Sequence, residues 1–296
     1  MNESTSDRQR AYRAGAQVAR ERVAREAPLD AAALDQIEAS DIVIVPGTYD
    51  HVENVLEALE MPFTPVDPGQ LSKVPLRPEQ LLVINCPGQI SRRAVDHVRD
   101  FVAAGGSLFA TDWALRHVIE PAFPDTIAYN DQPTADTVVR IEILKADNPF
   151  LQGVMDGEDD PQWWLEASSY PIRVLDRDRV EVLITSRELG DSYGESPVAV
   201  LFPHGEGEVF HMISHYYLQR TELRNERHNA PAYAYAAEKG VAMDAALSAN
   251  MRDLRVGDVE SAQTSARLMA NVVASKKRSA NERASANKKT GAKKRP

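Results

Sequence analysis

Three apolar runs, each ending where the chain must turn, constrain this sequence most: DIVIVPG at 41–47, LLVINCPG at 81–88 and SLFAT at 107–111. Runs that are apolar on successive residues make strands buried on both faces, the condition of a parallel sheet covered by helices. The segments between them supply such helices. In HVENVLEALE, Val52, Val55, Leu56 and Leu59 recur at helical spacing. After the second run, Ser91 stands as the N-cap of a helix whose inner face is Val95, Val98 and Val102, closed by Gly105 and Gly106. Strand, helix and strand in this order imply right-handed crossovers. The chain is therefore read as an α/β fold, a doubly wound, mostly parallel sheet with helices on both faces.

Outside this region, RQRAYRAGAQVARERVARE reads as a helix ended by Pro28, and DAAALDQIEA as a second, short one. Beyond residue 136 the pattern becomes strand-rich, with TVVRIEIL, PIRVL, VEVLITS, PVAVLF and EVFHMI separated by loops of Asp, Gly and Pro. HGEGE, between the last two, has the form of a late β-hairpin, with Gly205 and Gly207 supplying positive φ angles. Two more helices are expected near 233–250 and 259–275. The chain so divides into an N-terminal helical extension (1–39), an α/β domain (40–225), C-terminal helices packed on it (226–275) and a basic tail (276–296). That tail is Lys, Ala, Ser and Asn with almost nothing to bury, and is expected to be disordered.

Charge separates the tail from the rest. Residues 276–296 hold nine Lys or Arg against one Glu, so the remainder carries about −18 of the net −10. So acidic a body repels phosphate backbones, and nucleic acid is expected to meet only the tail. A single cysteine, Cys86, excludes an internal disulfide. No apolar run approaches the roughly 18 residues of a membrane span. A cytoplasmic location and no membrane partner are the expectation.

Taken in order, DIVIVPGTYDH, LLVINCPGQ, FVAAGGSLFATDWAL, DNPFLQGV and PVAVLFPHGEGEVFHMISHYY resemble the ThuA-like branch of the class I glutamine amidotransferase-like superfamily, over roughly residues 40–220. The resemblance implies a flavodoxin-like sheet and, in working members, a cysteine on a tight strand-to-helix turn flanked by glycines. Here that turn reads Ala110-Thr111-Asp112-Trp113-Ala114. Asp112 takes the nucleophile position, and a carboxylate cannot form the thioester of glutamine hydrolysis. His215 matches the late histidine of the family, but the glutamate expected two residues on is Tyr217. Cys86 lies on the preceding strand-to-loop junction, where the family has a Pro-Gly-Gly loop, and reads foremost as a buried thiol. Trp163, Trp164 and Tyr170 fall near an acidic-aromatic motif of the family, with Glu166 spaced differently.

Gly47, Asp50, Cys86, Gly88 and Trp113 fall with Asp112 at the carboxyl ends of parallel strands, where open α/β sheets bind ligands. Each also has a plainer reading. Asp50 suits a turn or N-cap before His51, Asp112 the cap of the next helix, and Trp113 a core or rim aromatic. His211 and His215 are four apart, a metal pair only on a helix, and His211 falls on a strand. No cofactor and no metal are assigned. The first functional expectation is a catalytically degenerate domain binding a small polar ligand or a partner protein at the former active-site cleft. The second is a hydrolase or sugar-modifying enzyme using Asp112 and His215, with Asp50 and a metal as optional partners. The third is a homo-oligomeric scaffold whose tail contacts polyanions.

Overall fold

The computed structural model describes residues 3–215 and 221–292, with side chains from 6 to 285 of these. The strands are β1 (Ile42–Val45), β2 (Thr64–Pro65), β3 (Leu81–Ile84), β4 (Ser107–Thr111), β5 (Ile127–Tyr129), β6 (Thr137–Arg140), β7 (Glu142–Ile143), β8 (Gln162–Leu165), β9 (Ile172–Val174), β10 (Glu181–Thr185), β11 (Pro197–His204) and β12 (Gly207–Met212). The helices are α1 (Glu3–Glu26), α2 (Pro28–Leu34), α3 (Val52–Ala58), α4 (Arg92–Ala103), α5 (Glu120–Ala122), α6 (Arg187–Tyr193), α7 (Glu226–Asn229), α8 (Ala232–Glu238), α9 (Ala245–Met251) and α10 (Val256–Ala292).

Among the described residues, one eight-stranded sheet runs in the order β2-β1-β3-β4-β12-β11-β10-β7. Its first five strands are parallel. The last three continue it antiparallel. Two further pairs, β5 with β9 and β6 with β8, lie outside it. Every residue of β1, β3 and β4 is buried. Successive side chains point to opposite faces, so helices must cover both. On one side α4, capped by Ser91 Oγ accepting from the Ala94 amide, packs on β4 and β12. Helix α10 packs along α1 and also meets α2, α3, α7 and α8. The segment 1–39 thus shares one apolar cluster with the sheet through Tyr12, Val18, Ala19 and Val23.

The antiparallel β11–β12 pair places His204 opposite Gly207. Gly205 alone takes a positive φ there, +58°. Gly207 serves instead in close approach: a Cβ would meet the carbonyl oxygens of Gly106 and Val102 at 2.2 Å. The helix expected near 233–250 divides into α8 and α9 around Gly240, at φ +65°.

The basic tail corrects an expectation. Residues 276–292, expected disordered, continue α10 as helix. Ala, Lys, Arg and Glu are strong helix formers, and the first basic residues find partners in the domain. Lys276 Nζ donates to the carbonyls of Pro78 and Gly105, each at 2.7 Å. Lys277 pairs with Asp41 at 2.6 Å and Arg278 with Asp30 at 2.7 Å. Among the described residues, no helix is long and apolar enough to cross a membrane.

The α1–α10 crossing turns on Gly15, where a Cβ would lie 2.6 Å from the Gln263 amide nitrogen and 2.8 Å from the Ala262 carbonyl carbon. At an exposed helical position Gly→Ala stabilises by about 1 kcal/mol. At this crossing Gly15→Ala is expected to destabilise by about 1–3 kcal/mol through overpacking, read from urea unfolding midpoints.

Beside that crossing lies a buried charge cluster. Arg227 reaches Asp159 at 3.0 Å and Glu260 at 2.6 Å, and Lys239 reaches Asp159 at 2.7 Å. Burial pushes Glu260 up to about 7, against the pull of Arg227 and helped by neighbouring Asp159. The folded state therefore binds a proton that the unfolded chain has released above about 4.5. This contribution to stability is complete below 4.5 and is lost as pH rises toward 7. Glu260→Gln should flatten the fall in unfolding free energy between pH 4.5 and 7, measured by denaturant melts across that range.

Candidate functional site

At the carboxyl end of β4 the backbone reverses through Asp112, which takes φ +42° without a glycine on either side. Its amide donates to the Met212 carbonyl at 2.8 Å and its carbonyl accepts from the Leu115 amide at 2.8 Å. The sharp strand-to-helix turn is thus formed by a non-glycine residue in the left-handed region, a costly conformation that surrounding contacts must hold. Those contacts come from the loop after β8. Thr134 pins this loop by accepting from the Ser168 amide through its carbonyl, at 2.7 Å, and from the Ser169 amide through its hydroxyl, at 3.1 Å. The loop then reaches Asp112 twice: Ser169 Oγ donates to Oδ2 at 3.0 Å, and the Tyr170 amide donates to Oδ1 at 2.8 Å. Capping of the following helix, the plainer reading of Asp112, is not what its side chain does.

His215, just past the end of β12, meets the same carboxylate. Its Nε2 lies 3.0 Å from Asp112 Oδ2, and its Nδ1 pairs with Glu166 Oε2 at 2.8 Å. Asp112 is 1% exposed and His215 2%, whereas the Glu166 side chain is 35% exposed. The imidazole is therefore held between a buried carboxylate and one that reaches solvent. Burial works against charge on His215, but Asp112 in hydrogen-bond contact, with Asp50 and Glu166 nearby, outweighs it and raises its pKa. Burial likewise raises Asp112, opposed by its bonds from His215, Tyr170 and Ser169. The shared proton resides on the imidazole, which has a carboxylate on either side, while Asp112 has two further donors to stabilise its charge.

Cys86 completes the cluster. Its Sγ is 3.9 Å from Asp112 Oδ2, and its amide donates to Thr111 Oγ1 at 3.0 Å. Burial, and then the charge of Asp112, pushes the thiol far above its ordinary range. It is a buried, protonated thiol and a poor nucleophile. Asp50 is fully buried, with Oδ1 accepting from the His51 amide at 2.8 Å. The N-cap of α3 is His51, and no side chain caps it. Gly47 and Gly88 serve close packing: a Cβ on Gly47 would meet the Cys86 carbonyl oxygen at 2.1 Å, and one on Gly88 would meet Ala114 Cβ at 2.8 Å. His211 lies on β12 opposite Ala110, its pKa driven down to about 3 by burial. It stays neutral and apart from this cluster.

Over the turn sits an aromatic shelf. Trp113 stacks with Tyr170 at 5.5 Å between ring centroids and meets Tyr49 edge-on at 5.3 Å. Its indole Nε1 donates to the Ser168 carbonyl at 2.6 Å. Tyr129 stacks on the far side of Tyr170 at 4.0 Å. Tyr49 is 42% exposed, and Trp113 and Tyr170 are half-buried. Of the sequence candidates, Asp112, His215 and Cys86 converge, Trp113 forms the rim, and Gly47 and Gly88 pack beneath.

The partner of the imidazole is Glu166, which sequence reasoning did not place in the site, together with Ser169 and the Tyr170 amide. LEASSY carried the signal, in an acidic residue close to an aromatic one. Tyr217, at the position where the resemblance puts a glutamate, lies outside the described residues.

No known family model matches the chain, and no curated protein matches it. Solved structures resemble it at low identity. A ThuA-like protein from Bacteroides uniformis is 10% identical, with 61% of this chain covering 83% of that one at a TM-score of 0.44. A GMP synthase protein from Thermoplasma acidophilum is 13% identical, with 62% of this chain and 86% of that one at 0.44. An exo-β-1,4-mannosidase from an Opitutaceae bacterium is 13% identical, with 60% of this chain and 31% of that one at 0.43. The chain spans under a third of the length of the glycosidases it matches.

Removing the carboxylate tests the clamp. Asp112→Asn should cost about 3–5 kcal/mol in urea unfolding, the usual loss when one partner of a buried ion pair is deleted. In the native protein the contribution is full below pH 6.5 and is lost as pH rises through the raised value of His215. A His215 imidazole that titrates by NMR below 6.5 in the native protein would contradict this assignment.

Proposed function

We propose that this chain is a ThuA-like, class I glutamine amidotransferase-like domain that does not hydrolyse glutamine and instead binds a small polar ligand or a partner at the mouth of the former active-site cleft. The state of Asp112 carries the reading. It stands where the resemblance places a cysteine, yet its two oxygens accept from Ser169, the Tyr170 amide and His215, and almost none of it reaches solvent. A nucleophile needs a free lone pair facing its substrate. This carboxylate spends its lone pairs on holding the loop and the histidine.

The strand order supports the flavodoxin-like part of the reading. The parallel strands run β2-β1-β3-β4-β12, with the reversal of winding between β1 and β3. Ligands of open α/β sheets bind at the carboxyl ends beside that reversal, and Gly47, Asp50 and Cys86 follow those two strands. A late hairpin, β11–β12, delivers His215 to the same edge. The groups that face outward are Tyr49, Trp113, Tyr170 and Glu166. Flat aromatic faces take ring-shaped ligands, and a carboxylate accepts from their hydroxyl or amino groups. A single buried thiol is compatible with a reducing cytoplasm.

One observation favours a second reading, a hydrolase. Asp112 holds positive φ on a strand-to-helix turn, and His215 lies between two carboxylates, as a general acid/base would. Ammonia release from glutamine separates the readings at the first level: the native protein and Asp112→Cys should both give none, since Asp112→Cys still lacks the flanking glycines. Indole fluorescence should shift when a panel of monosaccharides and cyclic polyols is titrated, and Trp113→Phe should abolish the shift. Glutamine turnover by the native protein overturns the main reading. Hydrolysis of an aryl glycoside or ester that is lost in Glu166→Gln establishes the second.

A further inference from the structure

We propose that Cys86, Asp112 and His215 form a divalent-metal site of zinc type, in which Glu166 is a positioning residue for the imidazole. The inference deepens the reading of Asp112 as a held carboxylate and rests on it. One ligand atom from each of the three residues lies within 4.8 Å of the others, and all three residues are buried. The nearest pairs are Nε2 to Oδ2 at 3.0 Å and Sγ to Oδ2 at 3.9 Å. A tetrahedral zinc with bonds of about 2.0–2.3 Å sets its ligand atoms roughly 3.2–3.7 Å apart, so small side-chain adjustments would seat the ion.

The donor set selects the metal. A thiolate, an imidazole and one carboxylate oxygen suit Zn²⁺ or Co²⁺, and not the hard oxygen-seeking Mg²⁺ or Ca²⁺. Three protein ligands leave a fourth position for water or for a ligand held by the aromatic shelf.

Each donor is also held from behind, as metal ligands are. Glu166 faces Nδ1 of His215 at 2.8 Å and favours the tautomer that carries its proton there. Nε2 then points a lone pair at Asp112 Oδ2. Two acceptors 3.0 Å apart repel unless a cation lies between them, and only a proton or a metal ion fits. Ser169 Oγ and the Tyr170 amide fix the carboxylate, and Thr111 Oγ1 fixes the backbone of Cys86. Buried Asp50 adds negative charge to the same neighbourhood. A carboxyl-rich pocket holding a single imidazole has the charge that a divalent cation neutralises.

The test uses the tag-free full chain, stripped with a chelator and titrated with Co²⁺ alone. Expected are the intense visible bands of tetrahedral cobalt and a thiolate-to-cobalt charge-transfer band in the near ultraviolet. Cys86→Ser should lose the charge-transfer band. Glu166→Gln should keep the spectrum but weaken affinity about 10–100-fold, the usual effect of removing a group behind a metal ligand. Absence of tetrahedral bands in the native protein overturns the proposal without needing any variant to fold. A charge-transfer band that survives in Cys86→Ser, or in Cys86→Ala, overturns it as well. Silence toward cobalt leaves the absence of glutaminase activity standing, while glutamine turnover sinks the earlier reading whatever cobalt does.

Discussion

Strands β1, β3 and β4 are buried on every residue, and covering both of their faces organises the rest of the molecule. Apolar surface on two sides of a sheet must be removed from water by two layers of helices. Helix α4 supplies one side. The pairing of α1 with α10 joins the two ends of the chain in the same apolar cluster, and it depends on the bare backbone of Gly15. With both faces covered, the crevices at the strand ends are left for polar chemistry, and there the common geometry of open sheets meets this chain's own side chains.

At the carboxyl edge a different constraint takes over. A carboxylate as buried as Asp112 is tolerated only when donors surround it. Ser169, the Tyr170 amide and His215 meet that demand, and in doing so draw the loop after β8 over the turn. The same bonds hold a non-glycine residue at positive φ, hold the imidazole, and place the aromatic shelf above it. One substitution relative to the pattern of working amidotransferases, an acid where a thiol stands, is therefore consistent with the rearrangement of the whole edge. The thiol that the chain does possess sits beside that acid, where the surrounding negative charge keeps it protonated until a cation enters.

Much of the architecture is legible because its causes are local. DIVIVPG and LLVINCPG carry their apolar residues consecutively, Ser91 stands where a cap belongs, and Val95, Val98 and Val102 keep helical spacing. Gly205 announces a turn by its own conformational freedom. The tail misleads because a lack of apolar residues reads as disorder. Its Ala, Lys and Arg propagate a helix already anchored upstream, and Lys276 reaches two carbonyls of the domain.

The sequence by itself determined that a parallel sheet would form and that Asp50, Cys86 and Asp112 would follow its strands, because periodicity and turn chemistry act over a few residues. It also determined that the nucleophile position holds a carboxylate, since that depends only on which residue follows SLFAT. Only the tertiary structure decided what the carboxylate meets. Ser169 is 57 residues from Asp112 along the chain and His215 is 103. Glu166 reaches the imidazole through a loop whose path is set by Thr134 and by the β6–β8 pair. Charge compensation of a buried group is a property of what surrounds it in space, and no spacing along the sequence encodes it.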